Sequence, residues 1–96
     1  MELTGKQLNH LRGLAHHLKP VVSVGVAGAT PAVSVELKHA LAAHELVKVR
    51  LPSLSKPQKA ELLERLCQEA GAISVQLIGR VGVAYRPALI PRIHLA

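Results

Sequence analysis

The sequence predicts an α/β protein: a two-layer α-β-α-β-α-β-β chain with a four-stranded mixed sheet. Three observations predict it. Four short runs rich in Val, Ile and Leu, at residues 21–24, 46–51, 72–78 and 81–86, have the composition of strands. Three stretches of helical apolar spacing alternate with them, each opened by a capping signal. Only Gly79 and Arg80 separate the last two runs, so these form a hairpin, whereas strands joined through helices run parallel with right-handed crossovers.

The elements follow in order. Thr4 and Gln7 fit a capping box, after which Leu8, Leu11, Leu14 or Ala15, and Leu18 recur at helical spacing. Pro20 stops this helix, because the residue before a proline avoids the helical region, so helix one covers about residues 5–17. Strand one ends at the loop Gly25, Val26, Ala27, Gly28. Thr30 as N-cap and Pro31 in the first turn then open helix two, which ends near His44. In strand two, Val47, Val49 and Leu51 alternate with Lys48 and Arg50, so one face is buried and the other wet. Ser55 and Gln58 form a second capping box. Leu62, Leu63, Leu66, Cys67 and Ala70 give helix three its apolar stripe, and Gly71 occupies the left-handed cap position. Ile73, Val75 and Leu77 are expected to face inward from strand three. In strand four, Gly82, Ala84 and Arg86 are expected opposite Val81, Val83 and Tyr85. The tail from about residue 87 is apolar and broken by Pro91; it either packs on the body or adds a short edge strand. If helices two and three share a face, the other sheet face carries Lys48, Arg50, Ser74, Gln76 and Arg86, with no acid among them.

Composition narrows the function classes. Twelve Lys and Arg stand against six acids, all Glu, and the formal net charge is +6 over 96 residues. This fits a soluble basic protein or, more pointedly, a nucleic-acid surface. Tyr85 is the sole Trp, Tyr or Phe, so binding cannot rest on aromatic stacking and falls mainly to the phosphate backbone. A lone Cys67 excludes an internal disulfide and a thiolate metal cluster within one chain, and its place on an apolar helix face reads as core packing. No apolar run reaches the roughly 20 residues of a membrane span. The start of the chain does not read as a signal peptide, so a cytoplasmic location is expected.

The G-x-x-G of Gly25 and Gly28 has two readings. It can be a tight strand-to-helix turn, or a loop whose N–H groups and following helix start suit a phosphate. It lacks the Lys and Ser/Thr of a nucleotide P-loop and the spacing of a dinucleotide fingerprint. With Val26 and Ala27 between the glycines, phosphate contact here falls to backbone. His16, His17 and Lys19 stabilise the end of helix one through its dipole, and His39 and His44 are poorly spaced to share a metal. Without any Asp, a Ser-His-acid set or an H-E-x-x-H, a catalytic site is unsupported; Glu61 and Glu64 read as a solvated helix face. No catalytic residue, metal ligand or cofactor is assigned.

Five stretches carry a family resemblance: G-L-A-H-H-L-K-P-V-V starting at Gly13, G-V-A-G-A-T starting at Gly25, H-E-L-V-K-V starting at His44, G-A-I-S-V-Q-L-I-G starting at Gly71, and Y-R-P starting at Tyr85. In order and spacing the chain resembles the CRM domain, and within it the small stand-alone YhbY-like bacterial proteins. The resemblance implies one RNA-binding domain over residues 1–96, similar in fold to the C-terminal domain of translation initiation factor three, with a KH-like GxxG loop. It also implies contact with large-subunit ribosomal RNA in a pre-ribosomal particle and help in its assembly; plant relatives bring the same domain to intron splicing. By position, the family's loop falls on Gly25, Val26, Ala27 and Gly28, its basic L-K-P on Lys19 and its Y-R-P arginine on Arg86. Many members carry a larger aliphatic residue after the second glycine, or a polar or basic one within the loop; Val26, Ala27 and Ala29 stand there here. Together with the charges of the strands, the expected RNA-binding set is Gly25, Val26, Ala27, Gly28, Lys19, Lys48, Arg50, Arg80 and Arg86, with Lys6 and Arg12 further out. The expected protein is a monomer and not an enzyme. The alternative is a protein-binding module that docks on acidic surfaces of ribosome-associated partners.

Overall fold

The computed structural model describes residues 2–95. Its elements are α1 (Gly5–Ala15), β1 (Pro20–Ser23), α2 (Pro31–His44), β2 (Leu46–Arg50), α3 (Lys56–Ala70), β3 (Ile73–Ile78) and β4 (Val81–Tyr85). This is the expected α/β chain of three helices and a four-stranded mixed sheet. Its helix starts are local chemistry. The Thr4 and Ser55 hydroxyls each accept the N–H three residues on, while the Gln7 and Gln58 side chains accept the cap N–H in return. Thr30 caps α2 through the Val33 N–H, with Pro31 behind it. Gly71 closes α3 at φ 68°, in the left-handed region that glycine enters without strain.

The sheet order is β1-β2-β4-β3. β1 and β2 run parallel, and β4 is antiparallel to both β2 and β3. β2 and β3 therefore point the same way, as their helical connection requires, but β4 lies between them. The hairpin strand, not β3, takes the central place beside β2. Gly82 lies where β4 meets α3. A Cβ there would lie 2.7 Å from both Leu63 Cδ atoms, so the missing side chain lets α3 settle onto β4.

Two apolar clusters fill the two sides of the sheet. On one side α2 and α3 pack Leu37, Leu41, Leu63, Leu66 and Cys67 against Val22, Val47, Val49 and Ala84. Both crossover helices share that face, as the sequence indicates. On the other side Leu11 and Ala15 of α1 pack on Leu46, Val75, Val83 and Tyr85. The layering is therefore fuller than two layers: α1 covers part of the face expected to be open. Helix one also stops sooner than expected, at Ala15, with His16 and His17 in a turn.

Two residues leave the expected basic face. A register shift between Ser74 and Gln76 leaves Val75 without a partner on β4. Val75 packs under α1 and Gln76, opposite Val83, faces the same side, while Leu77 turns to the α2–α3 core. Strict alternation placed Val75 with Leu77; one extra residue breaks it. Ser74, opposite Ala84, consequently faces the α2–α3 side. Arg86 leaves too. Its Nη1 donates to the Ala70 carbonyl at 2.8 Å and its Nη2 to the Lys38 carbonyl at 3.2 Å, so the guanidinium bridges the end of α3 to the middle of α2.

Among the described residues the tail adds no strand. The buried Glu45 carboxylate holds it by accepting the N–H groups of Ala88 and Arg92 and the Arg92 Nε. Ile93 and Leu95 then pack against the α1 cluster.

Candidate nucleic-acid interface

The loop after β1 is a closed turn. The Gly28 N–H donates to the Gly25 carbonyl at 3.0 Å, and the Thr30 N–H to the Gly28 carbonyl at 2.9 Å. Those two amides are spent inside the loop. The N–H groups of Val26, Ala27, Ala29 and Ala32 donate to nothing among the described residues. Val26 is fully exposed at the tip. The glycines differ in their reason for being there. Gly28 has φ 73°, which disfavours any side chain, whereas Gly25 has an ordinary φ and open space where a Cβ would stand. The turn thus needs Gly28. The fold places no such demand on Gly25, which leaves the backbone there open to close approach by a ligand.

The strands carry charge to the same end of the sheet. Because β1 and β2 are parallel, the residue that ends β2 lies beside the residue that ends β1: Arg50 is in register with Ser23, and its carbonyl accepts the Val24 N–H at 2.8 Å. Arg50 thus stands next to the start of the loop. Lys48, two residues back, points to the same face, opposite Val83. The two cations line a groove of about 490 Å³ with Arg12 of α1, His16 just past its end, Gln76 from β3 and an apolar floor of Val81 and Val83. No acid lines it among the described residues. Arg12 is fixed there: its Nε donates to the Val75 carbonyl at 3.4 Å and its Nη1 to Asn9 at 3.2 Å. The bulge at Val75 thus turns Gln76 into the groove and lies against an arginine beside it.

The other expected cations divide. Arg80 closes the β3–β4 turn against the end of β2. Its carbonyl accepts the Leu51 N–H at 2.7 Å and its Nε donates to the Leu51 carbonyl at 3.1 Å. This places it immediately beyond Arg50. Lys19 lies on the other flank of the end of α1, lining a separate, mostly apolar pocket. Arg86 is on the α2–α3 side, engaged with carbonyls. The structure therefore places Lys48 and Arg50 in the groove that reaches the loop, Arg80 beyond Arg50 at the end of β2, Lys19 on the other flank of α1 and Arg86 on the opposite face of the sheet. Sequence reasoning placed Arg12 further out and gave His16 only to the helix end. Their spacing of one helical turn, beside the buried Leu11 and Ala15, was the signal that both flank the α1 stripe.

Such an arrangement can hold a polyanion through backbone donors at one point and a line of cations beside it. Among the described residues, no group of three or more His, Cys or Glu is placed to hold a metal, and no helix is long and apolar enough to cross a membrane.

The chain is similar to known proteins. The chain is 41% identical over 93 residues to an RNA-binding protein of Haemophilus influenzae, covering 97% of this chain and 94% of that one. It is 38% identical over 96 residues to a probable RNA-binding protein of Pseudomonas aeruginosa, covering 100% and 92% of the two chains. The solution structure of a Staphylococcus aureus protein described as a candidate RNA binder superposes with a TM-score of 0.87 at 33% identity, covering 99% of this chain and 100% of that one. The model of the CRS1/YhbY (CRM) domain matches residues 3–86, and the chain belongs to that family.

Proposed function

We propose that this protein binds ribosomal RNA in the precursor of the large subunit and assists its assembly, acting as a monomeric cytoplasmic binding protein and not as an enzyme. One observation carries the reading: the acid-free groove of Lys48, Arg50 and Arg12 meets the loop where Arg50 lies beside Val24. The names of the relatives support RNA as the partner. The ribosomal part rests on the resemblance to the YhbY-like proteins. In this mechanism an RNA phosphate sits on the free amides of Val26, Ala27 and Ala29, close to the start of α2. Lys48, Arg50, Arg80 and Arg12 neutralise the phosphates that follow, and Lys19 supplies charge from the far flank of α1. Tyr85 is buried, so no aromatic stack holds a base, and the groove reads backbone and shape.

The test is a titration of large- and small-subunit ribosomal RNA fragments at two salt concentrations. With four or five phosphates neutralised, log affinity falls against log salt with a slope of about −3 to −4. Large-subunit fragments bind more tightly. Affinity indifferent to salt would sink the RNA reading. Association with ribosomal particles that survives ribonuclease points instead to docking on an acidic protein surface.

A further inference from the structure

We infer that the apolar pocket on the second flank of α1 receives one unpaired nucleobase of the bound RNA; the inference rests on the RNA-binding reading above. The end of α1 divides the surface. Arg12 and His16 line the basic groove on one side, and Leu14 and Leu18 line a cavity of about 420 Å³ on the other. Val21 from β1 and Ile93 from the tail contribute further walls. Leu14, Leu18 and Val21 are exposed by 38%, 39% and 50%, three neighbouring aliphatic side chains left partly uncovered. The cavity lies within the range of roughly 300–1,000 Å³ typical of clefts for small organic groups.

Charge selects the occupant. Lys19 and His44 line the same cavity, and no acid does among the described residues. Aliphatic walls beside the Lys19 ammonium suit a flat group with apolar faces that is tethered to phosphate. An apolar peptide side chain would use the walls and leave Lys19 without a partner. The path is continuous as well. Lys19 lines the cavity and Pro20, the next residue, lines the basic groove, so a single strand leaving the groove reaches the cavity across one residue. With Tyr85 1% exposed, no Trp, Tyr or Phe ring is available to an unstacked base among the described residues. This pocket offers it aliphatic walls and the His44 imidazole instead. The loop and groove then hold the backbone without regard to sequence, and the pocket makes one nucleotide position matter.

The experiment pairs the two surfaces. A short ribosomal RNA that binds the native chain is made with an abasic site at each position in turn. Each RNA is titrated against the native protein, Leu18→Gln and Val21→Ser, with melting curves to confirm folding. One abasic position is expected to lower affinity about tenfold for the native chain, the scale of a held base, and to cost nothing further in either variant. The salt slope stays constant throughout. The inference is overturned if every abasic RNA loses the same factor in native and variant proteins, or if the variants lose only the binding of ribosomal proteins. A native chain whose RNA affinity ignores salt overturns the RNA reading and this inference with it; a normal salt slope with a flat abasic scan overturns the inference alone.

Discussion

The Glu45 carboxylate accepts the backbone N–H of Arg92 at 2.6 Å, joining the end of α2 to the C-terminal tail. Among the described residues it is the one charged side chain buried in the protein. Its backbone sits at φ 62°, ψ −44°, a conformation that L side chains rarely adopt. The backbone strain and the carboxylate therefore act in opposite directions. Glu45→Ala leaves the N–H groups of Ala88 and Arg92 without their acceptor and keeps the strain, so it should destabilise by about 2–4 kcal/mol. Glu45→Gly removes the carboxylate but relieves the backbone, and should be less harmful than alanine by about 1 kcal/mol. Urea unfolding of the two variants measures both.

The same carboxylate makes stability depend on acid. Burial pushes its pKa up, but the N–H groups of Arg92 and Ala88 and the Arg92 guanidinium more than offset this, and the pKa lies below the ordinary value of 4.5. A lowered pKa means stability that is present above the unfolded value and lost as pH falls through the folded one. The advantage of the native chain over Glu45→Gln should hold from neutral pH to about 5 and vanish at more acid pH. Glu69 is lowered as well, first by the Ser34 hydroxyl at 2.6 Å, and is common to both proteins, so the comparison isolates Glu45. Urea midpoints from pH 7 to 3 provide the measurement.

The loop glycines separate folding from binding. Gly28→Ala should cost about 1 kcal/mol because of its positive φ, whereas Gly25→Ala should leave the melting temperature nearly unchanged. If RNA phosphate approaches the Gly25 backbone, the second variant loses affinity with full stability. Calorimetry and a filter-binding titration on one preparation distinguish the two effects.

Strand cations of similar appearance should behave differently. Lys48→Ala and Arg50→Ala should each reduce the salt slope by about 1 with little change in stability. Arg86→Ala should lose about 1–2 kcal/mol of stability, because the carbonyls of Ala70 and Lys38 lose their donor, with the slope intact. A slope lowered by the Arg86 variant would return that residue to the RNA surface.

Cys67 is fully buried and its thiol is pushed up to about 12, by burial first and then by the nearby Glu64 carboxylate. Alkylating reagents should therefore modify it only through opening of the α2–α3 core, and at a rate that follows urea concentration. Mass spectrometry of a timed labelling series checks this.

What could be read from the sequence was local. Thr4 with Gln7, Thr30 with Pro31, Ser55 with Gln58, and Gly71 each act within a few residues, so the helices were legible from their caps. The alternation of Val47, Val49 and Leu51 with Lys48 and Arg50 was legible for the same reason. The strand order was not, because inserting β4 depends on a close approach of Gly82 to Leu63, distant in the chain. Ser74 was misplaced because strict alternation contains no sign of a bulge at Val75. Arg86 resembled any strand arginine until the carbonyls of Lys38 in α2 and Ala70 at the end of α3 were seen beside it. Glu45 received no role from the sequence; its position just past a helix, where Gly or Asn is usual, was the weak sign.

The central place of β4 has a consequence for the order of folding. Lys48 and Arg50 face Val83 and Val81 across a strand that is made after all three helices. Until that strand inserts, β2 and β3 have no common neighbour and the floor of the basic groove does not exist. Closing the sheet brings together segments far apart in sequence, a slow step because the loop entropy is lost before the contacts form. On the ribosome, the chain acquires its cationic groove only when β4 has emerged, and a chain that stops short of β4 has no assembled groove.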